Sequence, residues 1–430
     1  MTELSRTAAI AQDLIRFPSV NWGEGRSDGE AEAAGYVEAV LQRMGLEPRL
    51  FEAAPGRVSV VARVEGESRG PGLVVHGHLD VVPADATSWS VDPFAGEVRD
   101  GLLWGRGAVD MKDMDAMVLA SLESILGAGR RPARDLVVAF FADEEAGGDF
   151  GSHHVVDHHP ELFEGATEAI SEVGGYSVSL GGRRAYLLQT GEKALVWVRL
   201  TARGPAAHGS RLIRDNAVVR LAEAVAALGR EDWPVRMTTT TESLIGRLGR
   251  MLGVDPRAAG PDAVALATGS AAGFLLATLR TTTNPTVLQA GYKHNVIPDT
   301  ATALVDIRTL PGEEEAVLAR VRELIGPDIE LETVHADIGL ENPFDGALVD
   351  KVVALLGEHD PGAPVLPYLL SGGTDNKALS KLGITGYGFA PLQLPPELDF
   401  PAMFHGVDER VPLSSLDFGT RVLTDLLRTY

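Results

Sequence analysis

The sequence predicts an α/β layered protein with a second, smaller domain inserted into the first. Short apolar runs, Leu73-Val74-Val75, Leu136 to Phe141 and Ala169-Ile170-Ser171, alternate with stretches of helical period, the pattern of helices laid over a sheet. Each run leads directly into polar residues: His76-Gly77-His78-Leu79-Asp80, Asp143-Glu144-Glu145 and Glu172-Val173-Gly174-Gly175. Sheets of this class bind ligands at the carboxyl ends of their strands. From about Lys193 the texture changes to longer alternating strands such as Leu195 to Leu200, and the α/β texture returns only after His335. The expected division is therefore 1–192, 193–335 and 336–430, with the first and last parts forming one domain. A chain of 430 residues exceeds what one core normally serves.

Taken in order, residues 4 to 17 read as a helix stopped by Pro18, and 30 to 44 as a second, with Val37, Val40, Leu41 and Met44 on one face and Gly45 at its end. Val58, Val60, Ala62 and Val64 alternate as a strand does, and Gly66 to Gly72 reads as a turn into the central strand. Residues 112 to 126 suit a helix closed by Gly127. In the inserted part an amphipathic stretch at 212 to 228 precedes a Gly-rich helical stretch near 241 to 280, a strand at Ala303 to Thr309 and a helix at 313 to 325. Helices at 346 to 357 and about 413 to 428 close the chain, with a Ser371-Gly372-Gly373-Thr374-Asp375 loop between them.

Composition narrows the function classes. With 45% hydrophobic and 23% charged residues the chain is an ordinary globular protein, and no apolar run approaches the roughly 18 residues of a transmembrane helix. The start, Met1 to Arg6, lacks the basic and apolar segments of a signal peptide, so a cytoplasmic protein with no membrane partner is expected. The formal charge of −22 would repel phosphate backbones, which argues against nucleic acid as a partner. The sequence contains no cysteine, so any metal must be held by imidazole and carboxylate.

His78 and Asp80 stand two apart, so on an extended chain their side chains point the same way, and the carboxylate can accept the second ring N–H of a ligating histidine. Taken alone, such features have ordinary explanations. An acidic pair such as Glu144-Glu145 is usually a solvated turn. Asp110 before Met111-Lys112 could simply cap a helix. Glu172 could open a turn, and a lone His405 could pack in the core. His154 and His158 share a helix face at four residues' spacing, but the general-base glutamate of a His-Glu-x-x-His helix is absent, so the string His153 to His159 is not read as the metal site.

Together and in order, His78-Leu79-Asp80, Gly105-Arg106-Gly107-Ala108-Val109-Asp110, Glu144-Glu145, Glu172-Val173-Gly174-Gly175 and His405-Gly406-Val407-Asp408-Glu409 resemble the aminoacylase, carboxypeptidase and succinyl-diaminopimelate desuccinylase family of dinuclear zinc hydrolases. The likeness spans nearly the whole chain and extends to His78 through Pro83, Gly204-Pro205-Ala206-Ala207-His208-Gly209-Ser210 and Asn295-Val296-Ile297-Pro298. It implies a mixed-sheet catalytic domain of the zinc-exopeptidase type with an inserted α+β lid. It further implies that His78 and Glu172 bind one metal and Glu145 and His405 another, with Asp110 bridging the two. Asp80 would orient His78, and Glu144 would be the general base. His208 and Asn295 would hold the oxyanion, while Arg308 and the loop Ser371, Gly372, Gly373 and Thr374 would grip a substrate carboxylate. A cis bond between Asp110 and Met111 is also implied. His76 departs from the apolar or small residue usual there, and its role stays open.

The residue types suit that chemistry. Two divalent ions share and acidify a water and polarise a carbonyl, and a buried glutamate among like charges has its pKa raised towards proton transfer. Arg308 suits a carboxylate because its planar fork binds bidentately. The expected enzyme is a two-metal amidohydrolase or exopeptidase that releases an amino acid from an N-acyl amino acid or short peptide, closest to the acylase, dipeptidase and carboxypeptidase branch. Zn2+ is the expected metal, with Co2+ or Mn2+ as alternatives. The rival readings are a desuccinylase or deacetylase of biosynthetic intermediates, or a non-catalytic relative. Loss of Glu144 or of a ligand would favour the last, and none is lost. A homodimer through the lid and a monomer are both compatible with the alternating strands at 194 to 202 and 286 to 309.

Overall fold

The computed structural model describes residues 4–23 and 25–430. The chain divides into two compact units. The first comprises the chain up to Thr190 with Asn342–Tyr368 and Thr374–Tyr430; the second comprises Gly191–Glu341 with Leu369–Gly373. The return to the first unit falls at 341/342 and not at 335/336. The strand Ile329–Ala336 still belongs to the second sheet, and Leu340–Glu341 pairs with Gly191 and Glu192.

The first unit is built on a mixed sheet whose main path runs Ser177–Leu180, Arg183–Glu192, Thr385–Gly388, Ala166–Ser171, Ser68–His78, Arg134–Phe141, Arg57–Val64 and Arg49–Ala54. The four strands at its centre are parallel: Ser68–His78 pairs in parallel with Arg134–Phe141 and with Ala166–Ser171, which pairs in parallel with Thr385–Gly388. Their carboxyl ends therefore open on the same edge, and these are the ends that carry His78, Asp143 to Glu145 and Glu172. Val74, Val137, Ala139, Phe141 and Ala169 pack on one face against Val155, Leu162, Ala378 and Leu379. The helix Lys112–Gly127 packs against Arg6–Ile15 and Leu413–Thr429.

Arg57–Val64 is a strand, as the alternation of Val58, Val60, Ala62 and Val64 predicts, and it is buried at almost every position, Ser59 and Val61 included, because the sheet is covered on both sides. One local expectation changes: Gly66 to Gly72 is not all turn. The central strand already begins at Ser68, and the ladder shifts register between Ser68 and Leu73, a bulge that glycines at 70 and 72 accommodate.

The second unit is an α+β layer. Its antiparallel sheet runs in the order Thr282–Ala290, Thr300–Thr309, Ala194–Arg203 and Ile329–Ala336. Residues 194–202 and 300–309 alternate strictly between buried and part-buried, and Arg203 at the end of the first strand is exposed. Only one face is covered, by Leu221 and Leu228 of the helix Ala217–Arg230 and Val317 and Val321 of Glu314–Ile325. The Gly-rich stretch resolves into four helices, Thr239–Leu252, Pro256–Ala259, Pro261–Leu266 and Ala272–Thr278, because Gly253, Gly260 and Gly269 adopt positive φ and interrupt it. No helix among the described residues is long and apolar enough to cross a membrane.

Candidate metal centre

Three strand ends and two loops of the first unit bring five ligand-type side chains together around one carboxylate. Asp110 Oδ1 lies 3.2 Å from His78 Nε2, and Asp110 Oδ2 lies 3.3 Å from His405 Nε2. On the first side Glu172 Oε2 is 3.5 Å from the same His78 nitrogen; on the second Glu145 Oε2 is 3.0 Å from His405 Nε2. Among the described residues only two groups of three or more ligand-type residues have their donor atoms within 4.8 Å of one another, His78-Asp110-Glu172 and Asp110-Glu145-His405. They share Asp110. His78, Asp110 and Glu172 are buried, whereas His405 stands open to solvent.

Backbone geometry aims these groups. The peptide bond from Asp110 to Met111 is cis. Asp143 (φ 67°), Val173 (φ 52°) and His405 (φ 57°) lie in the left-handed region, each within two residues of one of these ligand-type residues or one of them itself. For β-branched Val173 that conformation is costly, and such outliers cluster where surrounding contacts fix a functional side chain.

The charges explain the protonation states. Burial disfavours the His78 cation, but Glu172, Asp110 and Asp80 outweigh it and hold its pKa well above the ordinary value. His405 is pushed up to about 11, chiefly by its hydrogen bonds to Asp110 and Glu145. Burial opposes ionisation of Asp110, yet its two imidazole partners hold its pKa far below the carboxylate range. Burial, with further repulsion from Asp110, raises Glu172 to about 8 against the pull of His78. Three carboxylates crowded around two imidazoles, with Glu145 Oε1 buried and without a hydrogen-bond partner, form a donor set that fits two divalent cations sharing Asp110.

Glu144 adjoins these ligand-type groups. Its Oε2 lies 3.9 Å from His78 Nε2, at the limit of an ion pair. Burial first, then Glu172, Glu145 and Asp375, push its carboxyl well above the ordinary range, against the opposing pull of His78. Asp80 meets His78 chiefly through its main chain, where the expectation was its carboxylate. The ring Nδ1 donates to the backbone oxygen of Asp80 at 3.0 Å, with the carboxylate farther off at 3.5 Å. The carboxylate instead accepts the backbone N–H groups of Glu144 (3.1 Å) and Glu145 (3.2 Å) and the amide of Asn21 (2.9 Å). Asp80 thus fixes the turn that carries both glutamates.

Sequence reasoning missed a supporting network drawn from separate segments. Asn21 also donates to Asp143 (3.0 Å), and Arg57 donates to Asp143 (2.7 Å) and to both oxygens of Glu30 (3.0 and 3.1 Å). A second clamp ties the Asp110 loop to the His405 loop. Glu409 accepts the Gly107 N–H at 2.7 Å and pairs with the buried Arg106, while Gly105 N–H donates to the Glu409 carbonyl. Asp375, buried beside Ser152, belongs to the same surroundings. Its place in the Ser-Gly-Gly-Thr-Asp loop was the available signal.

His76 is a core residue. Burial lowers its pKa to about 4, so it is neutral, with Nε2 facing Asn376 Oδ1 at 3.0 Å and its ring tilted on Phe141. Thr374 belongs to the first unit, and Ser371, Gly372 and Gly373 to the second. His208 and Asn295 lie together in the second unit, where Ala207–His208 pairs with Val296–Ile297 and Gly209 N–H donates to the Asn295 carbonyl. The Ser210 N–H donates to His208 Nδ1 at 3.2 Å, so Nε2 carries the proton when the ring is neutral, and the residue is exposed. Arg308 lies on Thr300–Thr309 with its fork on Asp306 (2.7 and 2.9 Å), so two of its nitrogens are already engaged.

The sequence profile of Peptidase family M20/M25/M40 matches residues 74–429. The chain is 27% identical to the N-fatty-acyl-amino acid synthase/hydrolase PM20D1 of Xenopus tropicalis, over 99% of this chain and 86% of the relative. It is 30% identical to the succinyl-diaminopimelate desuccinylase of Rhodospirillum centenum, over 95% and 93%. The fold superposes with a TM-score of 0.77 on the M20 family metallo-carboxypeptidase Sso-CP2 from Sulfolobus solfataricus, at 18% identity over 99% of both chains.

Proposed function

We propose that this chain, which belongs to Peptidase family M20/M25/M40, hydrolyses the amide bond of an N-acyl amino acid or short peptide and releases an amino acid. The observation that carries the reading is the sharing of one carboxylate, Asp110, by two ligand-type groups with Glu144 beside them. His78 and Glu172 would hold one divalent ion and Glu145 and His405 the other. Such a pair, when bound, acidifies a water and polarises the scissile carbonyl. Glu144 takes the proton from that water and delivers it to the departing amine, the role for which burial and like charges suit a carboxyl of raised pKa. His208 Nε2–H and the Asn295 amide are the donors offered to the oxyanion, and the Ser371 to Thr374 loop and Arg308 are offered to the substrate carboxylate. For Arg308 that role requires sharing its fork with Asp306.

Amide substrates of this class are supported by the names of two relatives, one a hydrolase of fatty-acyl amino acids and one a desuccinylase. The 30% identity to the latter makes a succinylated diamine the second substrate to try. Zinc is the metal that the all-imidazole-and-carboxylate donor set favours, in a cysteine-free, acidic chain that we assign to the cytoplasm. A homodimer through the second unit is supported by its edge strand Thr282–Ala290, which leaves Val287 and Leu288 exposed.

Glu144→Gln tests the reading. It should keep both metals by elemental analysis while turnover of acyl-amino acids falls by about 10²–10⁴. Full turnover would refute the role of Glu144, and loss of metal would make Glu144 a ligand.

A further inference from the structure

Away from the Asp110 site, the run His153 to His159 places four histidines and Asp157 within seven residues. The helix Ser152–His158 buries Val155 and Val156 and leaves His154 and His158 one turn apart on its outer side. Their rings lie close, with centroids 4.4 Å apart and planes inclined by 29°, so one ring must turn on its side-chain bonds for both in-plane lone pairs to meet on one ion. His158 Nδ1 lies 2.9 Å from the carbonyl oxygen of His154. A carbonyl only accepts, so Nδ1 carries the proton and the free lone pair of the neutral ring sits on Nε2. Anchoring one ring nitrogen on a backbone carbonyl is how proteins fix the tautomer of a metal-binding imidazole.

The neighbours leave this pair available. Asp157 is engaged by Lys381 (2.9 and 3.0 Å). His153 lies on the inner side, beside Asp375. Burial, then the adjacent His158 and His159, hold the His154 pKa below the ordinary value, so a metal meets little competition from protons there. His159 presents its edge to His154 at 6.4 Å and is not part of a three-ligand cage.

We propose that His154 and His158 chelate a divalent transition-metal ion on the protein surface, separate from the Asp110 site. An imidazole pair with its remaining positions open to water selects zinc, nickel or copper over magnesium or calcium. With two protein ligands it fills after the Asp110 site and empties first. Both ligands lie one turn apart in the helix Ser152–His158, so the ion ties that single helix turn.

The experiment is a titration of the chelator-stripped full chain with Ni2+ and with Zn2+, followed by calorimetry and by elemental analysis after equilibrium dialysis. The double variant His154→Ala/His158→Ala is expected to bind one equivalent fewer than the parent, the weakest one, and His153→Ala the same number as the parent. With Cu2+ the parent should show imidazole nitrogen coupling by electron paramagnetic resonance at that last equivalent, and the double variant should lose it. Equal stoichiometry and unchanged nitrogen coupling in parent and double variant would overturn the proposal. His78→Ala tests the other centre separately, because it should leave the weak equivalent in place; hydrolytic failure therefore does not decide the surface site.

Discussion

Arg57 offers the sharpest test of how the site is held. Its guanidinium donates from Nε to both oxygens of Glu30 and from Nη2 to Asp143 at 2.7 Å, and Nη2 also lies 2.9 Å from Glu30 as an ion pair. Glu30 is fully buried and Asp143 is 2% exposed, so Arg57→Met strands two carboxylates out of water. Removing one partner of a buried ion pair costs about 3–5 kcal/mol, because the remaining charge is uncompensated. Part of that cost depends on pH. Burial, then repulsion by Asp80, raises the Glu30 pKa from 4.5 to about 7 even with Arg57 opposing. The folded chain therefore binds a proton there more tightly than the unfolded chain, and stability from this group is fully present below pH 4.5 and lost as pH rises through about 7. Without Arg57 the folded pKa climbs further, so the variant's loss extends to higher pH. In urea unfolding of the chelator-stripped chain, the difference between parent and Arg57→Met should be largest at about pH 8.5 and smaller by more than about 1 kcal/mol at about pH 6. Asp143 and Asn21 also link Arg57 to Asp80 and hence to the Glu144 and Glu145 N–H groups, so turnover should fall more than KM rises. A loss below about 1 kcal/mol, or one that is identical at the two pH values, would refute the network as the support of this turn.

Two further outcomes are expected. Glu409→Gln keeps an acceptor for Gly107 N–H but removes the charge that Arg106 pairs with, loosening the joint between the Asp110 and His405 loops. Calorimetric metal affinity should drop about 10–100-fold, as for other groups that orient ligands, and unaltered affinity would count against the clamp. Val287→Asp with Leu288→Asp places charge on the exposed edge of the second sheet, and sedimentation should show monomer if the parent is a dimer through that strand. A dimer that survives both charges must use another surface.

The residues gathered at Asp110 were legible because each sits next to a strong local signal. His78, Glu145 and Glu172 follow buried apolar runs, and a parallel sheet puts the ends of such runs on one edge. Asp110 and His405 have no strand before them and became legible only through the motifs Gly-Arg-Gly-x-x-Asp and His-Gly-x-Asp-Glu. The supports left no such trace. Asn21, Glu30 and Arg57 are far apart in sequence, and each alone looks like a solvated polar residue; their meaning lies in sheet order, which local periodicity does not encode. Asp80 shows the limit most clearly. Its spacing from His78 suggested that the carboxylate takes the ring N–H, yet the ring bonds the Asp80 main-chain oxygen, and the carboxylate accepts from two N–H groups some 64 residues away. A carboxylate accepts best where donors are fixed and water is excluded, and the backbone of the Glu144 turn, held from the other side through Asn21 and Asp143, meets that condition better than the edge of a ring already bonded to a main-chain carbonyl.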